Sequence, residues 1–195
     1  MADKQATVYV IDLALSMKYH HNHRAESDLD YTLRYLWDRI TTTVSNGRKT
    51  DTIAVVGFRT DASDNGLVEN DDSYQNIGVL SPMSQFLMPQ IRELQKMLYA
   101  NRGEKGDGIS ALVVAIDIIE KYCKKLKYIR NIVLLTNGTG NFDFEGIDDI
   151  VKQIKDQGIN LTVLGVDFDD PEFGFKEEDK LPQKSSERGL FEKAL

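Results

Sequence analysis

Cysteine is nearly absent. Cys123 is the single one among 195 residues, so no disulfide can close within the chain, and a reducing compartment is expected. Long hydrophobic runs are missing too. None approaches the roughly 18 residues of a membrane-spanning helix, so no membrane partner is expected. The opening MADKQATVYVID lacks a basic start, a long apolar stretch and a small-residue cleavage site, so no secretory signal is expected there. No G-x-x-x-x-G-K-[ST] occurs, so no P-loop is present to cradle ATP, and no G-x-S-x-G marks a hydrolase nucleophile. Positive charge is in deficit: 24 Lys and Arg stand against 31 Asp and Glu, for a net charge of −7. A surface of that sign does not bind nucleic acid by general attraction. The hydrophobic share of 41% and the charged share of 28% are those of a globular chain long enough for one domain with a real core.

Strand-like and helix-like segments alternate. Ala6–Asp12, Thr52–Phe58, Tyr128–Thr136 and Ile159–Val166 are β-branched and apolar nearly throughout, as strands covered on both faces are. Tyr74–Leu80 reads as a shorter edge strand. Between them, Leu29, Leu33, Leu36, Trp37, Ile40 and Val44 recur on one face of a helix that Ser27 and Asp30 cap and Asn46-Gly47 ends. Pro89 opens a second helix, with Ile91, Leu94, Met97 and Leu98 on its apolar face. A third runs from Ile109 to about Tyr122, with Leu112, Val113, Ile116 and Ile119 inward. A fourth carries Ile147, Ile150, Val151 and Ile154, and Gly158 caps it. The pattern predicts a doubly wound α/β domain over residues 1–168, with a mostly parallel sheet and helices on both faces. Residues 169–195 change to a charged, breaker-rich linker, with LFEKAL as the possible start of a helix.

In such a fold, ligands sit where strand order reverses, at the carboxyl ends of the strands. Asp12 and Ser16 follow the first strand, Ser110 opens the third helix, and Asn137 follows the fourth strand. Oxygen donors of this kind suit a hard divalent cation. The arrangement Asp-x-x-x-Ser, Gly-Ser loop and Thr-Asn-Gly resembles a von Willebrand factor A domain, whose metal-dependent adhesion site uses Asp-x-Ser-x-Ser, a Thr and a second Asp. Here Ala14 stands for the middle Ser, Ser110 for the Thr and Asn137 for the Asp. With one carboxylate and one hydroxyl lost, the expectation is no metal and no cofactor, Mg²⁺ included. Asp12 is expected to be a buried, hydrogen-bonded structural acid.

A more specific match follows the second strand. Phe58-Arg59-Thr60-Asp61-x-x-x-Asn65, then Tyr74-Gln75-Asn76-Ile77, resembles the N-terminal A-like domain of the larger subunit of the Ku heterodimer, of fungal type. VYVIDLALSM and ALVVAIDII extend the likeness over about residues 6–168. The resemblance implies that the chain stops before that family's last strand–helix unit. The resemblance implies a nuclear, non-catalytic interaction domain of a DNA-end-binding heterodimer. That machine acts in double-strand-break repair by non-homologous end joining and in telomere maintenance. It also implies the smaller Ku subunit, peptide motifs of end-joining and telomere factors, and double-stranded DNA ends as partners, the DNA held mainly by parts absent here. The ATP-dependent helicase activity sometimes credited to the family has no phosphate cradle in this stretch. The alternative is an adhesion-type A domain that binds a ligand carboxylate through Mg²⁺ at Asp12, Ser16, Ser110 and Asn137.

Peptide docking is expected at the edge strand, on Tyr74, Ile77, Val79 and Leu80, beside an acidic wall that favours basic peptides. Lys121, Lys124, Lys125, Lys127 and Arg130 form the one dense basic run, a candidate DNA contact. Such a run also suits a solvated helix end, where cations meet the negative end of the dipole. Gly106-Asp107-Gly108-Ile109-Ser110-Ala111 spells a dinucleotide loop but follows no strand. His20, His21 and His23 lack further metal-ligand partners, and Cys123 has no neighbouring base.

Overall fold

The computed structural model describes residues 4–20, 23–69, 71–100, 103, 105–140 and 142–168. Five strands form one sheet: β1 (Gln5–Asp12), β2 (Asp51–Phe58), β3 (Ile77–Ser84), β4 (Ile129–Thr136) and β5 (Ile159–Gly165). Their order is β3-β2-β1-β4-β5, and β1 pairs in parallel with both β2 and β4, as β4 does with β5. Only β3 runs antiparallel, against β2. Four helices fill the connections: α1 (Asp28–Ser45), α2 (Met88–Met97), α3 (Gly108–Cys123) and α4 (Ile147–Asp156).

The unbroken apolar runs follow from the two-sided cover. Ala6, Val8 and Val10 point to one side and pack with Leu112, Ile116 and Ile119 of α3. Tyr9 and Ile11 point to the other and meet Leu33, Leu36 and Ile40 of α1 and Leu94 of α2. Each fully buried Val, Leu or Ile contributes about 1.5–3 kcal/mol, so these central strands anchor the domain. Ser27 caps α1 as expected, its Oγ accepting the Asp30 amide at 3.1 Å while donating to the Asp30 carboxylate at 2.7 Å.

Four expectations need correction. β3 begins at Ile77, and Tyr74 instead ends a single 3₁₀ turn, Asp72–Tyr74. The strand runs on to Ser84 through Pro82, which an edge strand tolerates because no neighbour needs its missing N–H. On α3, Val114 rather than Val113 is fully buried. On α4, Val151 is exposed and only Ile147, Ile150 and Ile154 lean on the core, because this helix lies over the sheet's margin. The segment 169–195 lies outside the described residues, as does His21.

Candidate functional site

The chain passes from β1 outward to β2 and β3, then returns to place β4 on the other side of β1. The carboxyl ends of β1 and β4 therefore form the switch point, the crevice where open α/β sheets bind ligands. Asp12 closes β1, and Thr136 and Asn137 close β4.

Asp12 is fully buried. Its Oδ1 accepts the Ala14 amide at 3.0 Å, and its Oδ2 accepts the Thr136 hydroxyl at 2.7 Å and Arg59 Nη1 at 2.9 Å. Burial pushes the Asp12 carboxyl above its ordinary range, while Arg59, the Thr136 hydroxyl and the Ala14 amide pull it down. With three donors aimed at it, the carboxylate is the form this pocket is built around.

Arg59 is only 1% exposed. Its Nη1 also donates to the Thr139 carbonyl at 2.7 Å, and its guanidinium lies 5.2 Å from the ring centroids of both Phe58 and Phe142. Asn137 and Ser16 belong to a neighbouring network. Asn137 Nδ2 donates to Asp28 Oδ2 at 3.0 Å. The Thr139 hydroxyl bridges Asn137 Oδ1 and Ser16 Oγ at 2.6 and 2.7 Å. Asp28 is in turn held by Arg24 Nη2 at 2.5 Å, and Arg24 reaches both oxygens of Asp167.

Ser110 is not drawn in. It sits in the first turn of α3, where its amide donates to the capping carboxylate of Asp107 at 2.6 Å. The residues present do not fit a divalent cation. The one carboxylate at the end of β1 already accepts from three donors, one of them a cation. Among the described residues, no group of three His, Cys, Asp or Glu is placed to hold a metal. Sequence reasoning missed Arg59, Arg24 and Asp167. The available signal was slight: an arginine directly after a strand buried along its whole length.

The Thr60-Asp61…Asn65…Tyr74-Gln75-Asn76-Ile77 segment proves architectural. Asn65 Nδ2 donates to the carbonyls of Tyr74 and Ile77 at 2.9 and 2.8 Å, and its Oδ1 accepts the amides of Leu67 and Val68, both at 3.0 Å. Asn76 Nδ2 donates to the Thr60 carbonyl at 2.8 Å, and its carbonyl accepts the Thr60 amide at 3.0 Å. This side-chain ring welds the loop to the outer edge of β3. There Asp64 gives its amide to the Ile77 carbonyl and accepts the Val79 amide at 2.7 Å.

That arrangement changes the expected peptide site. Ile77 is fully buried and Tyr74 lies off the strand, so neither presents a strand edge. Asp64 already occupies the edge at Ile77 and Val79, which closes that stretch to strand addition. Val79 and Leu80 instead line a groove of about 340 Å³ between β3, the 60–64 loop and the end of α2. Leu13 and Met97 complete its apolar floor, and Tyr99, 56% exposed, stands at its mouth. Asp61 and Asp64 are on its rim. Lys96, also on the rim, is paired with Glu93 at 2.8 Å.

The basic run divides. Lys121 pairs with Asp117 at 2.8 Å, and Arg130 donates to the carbonyls of Gln157 and Lys124, tying the end of α3 to the end of α4. Lys124, Lys125 and Lys127 are exposed.

Comparison with known proteins agrees with this architecture. The chain is similar to the SpRpn10 VWA domain, whose crystal structure matches with a TM-score of 0.59 at 14% identity over 82% of this chain and 74% of that one. It is 52% identical over 192 residues to the "ATP-dependent DNA helicase II subunit 2" of Coccidioides immitis, covering 97% of this chain and 26% of that protein. The Aspergillus sojae protein of the same name is 50% identical over 190 residues, again 97% of this chain and 26% of the relative. The Schizosaccharomyces pombe protein is 36% identical over 184 residues, 94% of this chain and 26% of that one. The chain thus spans about a quarter of the length of these relatives. The sequence profile of the Ku70/Ku80 N-terminal alpha/beta domain matches residues 6–183. The resemblance read from the Asn65 and Asn76 segments is upheld, and the chain belongs to the Ku70/Ku80 N-terminal alpha/beta domain family.

Proposed function

We propose that this chain is a non-catalytic recognition domain in the larger subunit of a Ku heterodimer. In this reading the complete protein pairs with the smaller Ku subunit and binds double-stranded DNA ends in the nucleus. It serves end joining and telomere maintenance, and its grip on DNA comes mainly from segments outside this chain. The domain itself docks short peptide motifs of end-joining and telomere factors. The family match and the relatives' printed names support the heterodimer role.

The observation that carries the peptide reading is the groove beside β3. Its floor is apolar, its mouth holds an exposed tyrosine, and among the described residues its unpaired charges are the two carboxylates of Asp61 and Asp64. That chemistry fits a peptide with an apolar anchor flanked by Lys or Arg. No ATP-driven step is placed here, since the sequence holds no P-loop.

Fluorescence polarisation tests the reading. Labelled peptides from end-joining and telomere factors are titrated with the full heterodimer. At least one basic, apolar-anchored peptide binds, and Tyr99→Ala or the pair Asp61→Lys and Asp64→Lys weakens it about tenfold or more. A heterodimer that binds DNA ends normally but none of these peptides overturns it, as does binding that both sets of variants leave unchanged.

A further inference from the structure

A divalent cation at the head of an A-like sheet does two things. It neutralises the aspartate closing β1, and it ties together the loops that follow β1 and β4. Arg59 does both from inside the chain. Its guanidinium is 2.9 Å from Asp12 and donates at 2.7 Å to the Thr139 carbonyl in the loop after β4. The loop is shaped around it: Gly140 has φ +95°, and a Cβ there would lie 2.5 Å from Arg59 Nη2. Phe58 and Phe142 present their rings to the guanidinium, excluding water as they do so.

The backbone of Arg59 is itself left-handed, φ +61°, a region that glycine enters freely but an arginine only under strain. Such strain persists only where the surroundings over-determine it. They do here, because a Cβ at Gly106, φ +111°, would come within 2.9 Å of the Arg59 amide nitrogen and one at Gly103 within 3.3 Å of its carbonyl oxygen, so both glycines are seated directly on this residue. A second guanidinium, that of Arg24, holds Asp28 and Asp167 in the same crevice.

We propose that the Arg59 guanidinium is a built-in replacement for the divalent cation, so that the head of the sheet is assembled without metal and has no coordination site left for a ligand carboxylate. A tethered guanidinium is always charged, cannot exchange, and spends its donors on internal acceptors. The inference stands apart from the peptide groove.

Thermal unfolding of the full chain is the test, read first on the unaltered protein. With about 5 mM Mg²⁺ or Mn²⁺ the midpoint stays within about 2 °C of its value in EDTA; a larger rise means that a metal site exists and overturns the proposal. Arg59→Gly, which accepts the left-handed backbone, lowers the midpoint by about 10 °C, because it leaves Asp12 buried without its cation. Arg59→Gly combined with Asp12→Asn loses less than the sum of the two single changes. An additive pair, or an Arg59→Gly variant as stable as the parent, overturns the proposal. If Arg59→Gly fails to fold, the metal titration decides.

Discussion

Arg24 and Asp167 stand 143 positions apart in the chain and meet in a two-pronged ion pair, Nη1 to Oδ1 at 2.6 Å and Nη2 to Oδ2 at 2.8 Å. The contact joins the segment that leads into α1 to the residue just beyond β5. Asp167 holds φ +58° to make it. Hydrogen bonding to Asp167 pushes the Arg24 pKa further up, against the effect of burial. Asp28, fully buried and held by the same arginine, couples the pair to Asn137 at the head of β4. Arg24→Ala therefore takes the cation away from two carboxylates at once. It is expected to cost about 3 kcal/mol, and Asp167→Asn less than half of that. Urea unfolding of both variants measures the difference, and equal costs contradict the shared role.

Asn65 fills all of its hydrogen-bonding capacity within one loop. Asn65→Ala removes four bonds whose partners are backbone groups, for an expected loss of about 2–3 kcal/mol. Amide exchange at Leu67 and Val68 rises first, because their acceptor is gone while the sheet remains. Unchanged protection at those two amides contradicts this account of the motif.

Alkaline stability depends on Tyr9. Burial, reinforced by the neighbouring Tyr35 and opposed by Arg39, pushes its phenol from 10.0 up to about 12. The unfolded chain thus ionises first, binds fewer protons than the folded one, and gains as pH rises. This group's contribution is intact below pH 10 and is lost between about 10 and 12, at a cost of roughly 2.7 kcal/mol for a rise of two in pKa. Tyr9→Phe removes that part of the alkaline decline. Urea midpoints from pH 9 to 12 that fall equally in both proteins argue against it.

Lys124, Lys125 and Lys127 surround the carboxyl end of α3, where the helix dipole is negative and Arg130 already satisfies the Lys124 carbonyl. Their charges match the helix end. Changing all three to Ala leaves the affinity of the heterodimer for DNA ends within about twofold at physiological salt, with the salt slope unchanged. A tenfold loss with a shallower slope instead assigns them phosphate contacts.

The elements themselves were readable because periodicity reports burial directly. β1 alternates between two helix-covered faces, so its central positions Val8 to Ile11 are apolar without a break, and the Ser27 cap and the glycines that end helices are local features. Asp12 as a buried acid was legible for the same reason: it ends an apolar strand. The Asn65 and Asn76 segment identified the family, although its use in welding a loop to β3 was not visible. Tyr74 was placed on the strand because a turn and an edge strand share one short apolar–polar pattern, whereas Ile77 does lie on β3, where it is buried.

What the sequence determined by itself is the layered α/β arrangement and the loss of a carboxylate at Asn137. Only the tertiary structure decided which charges meet there. Arg59 meets Asp12 across 47 positions and Arg24 meets Asp167 across 143, and nothing local pairs them. Charge pairing at the head of the sheet acts through space between loops that the strand order brings together, whereas strand and helix patterns are written along the chain by the water they avoid.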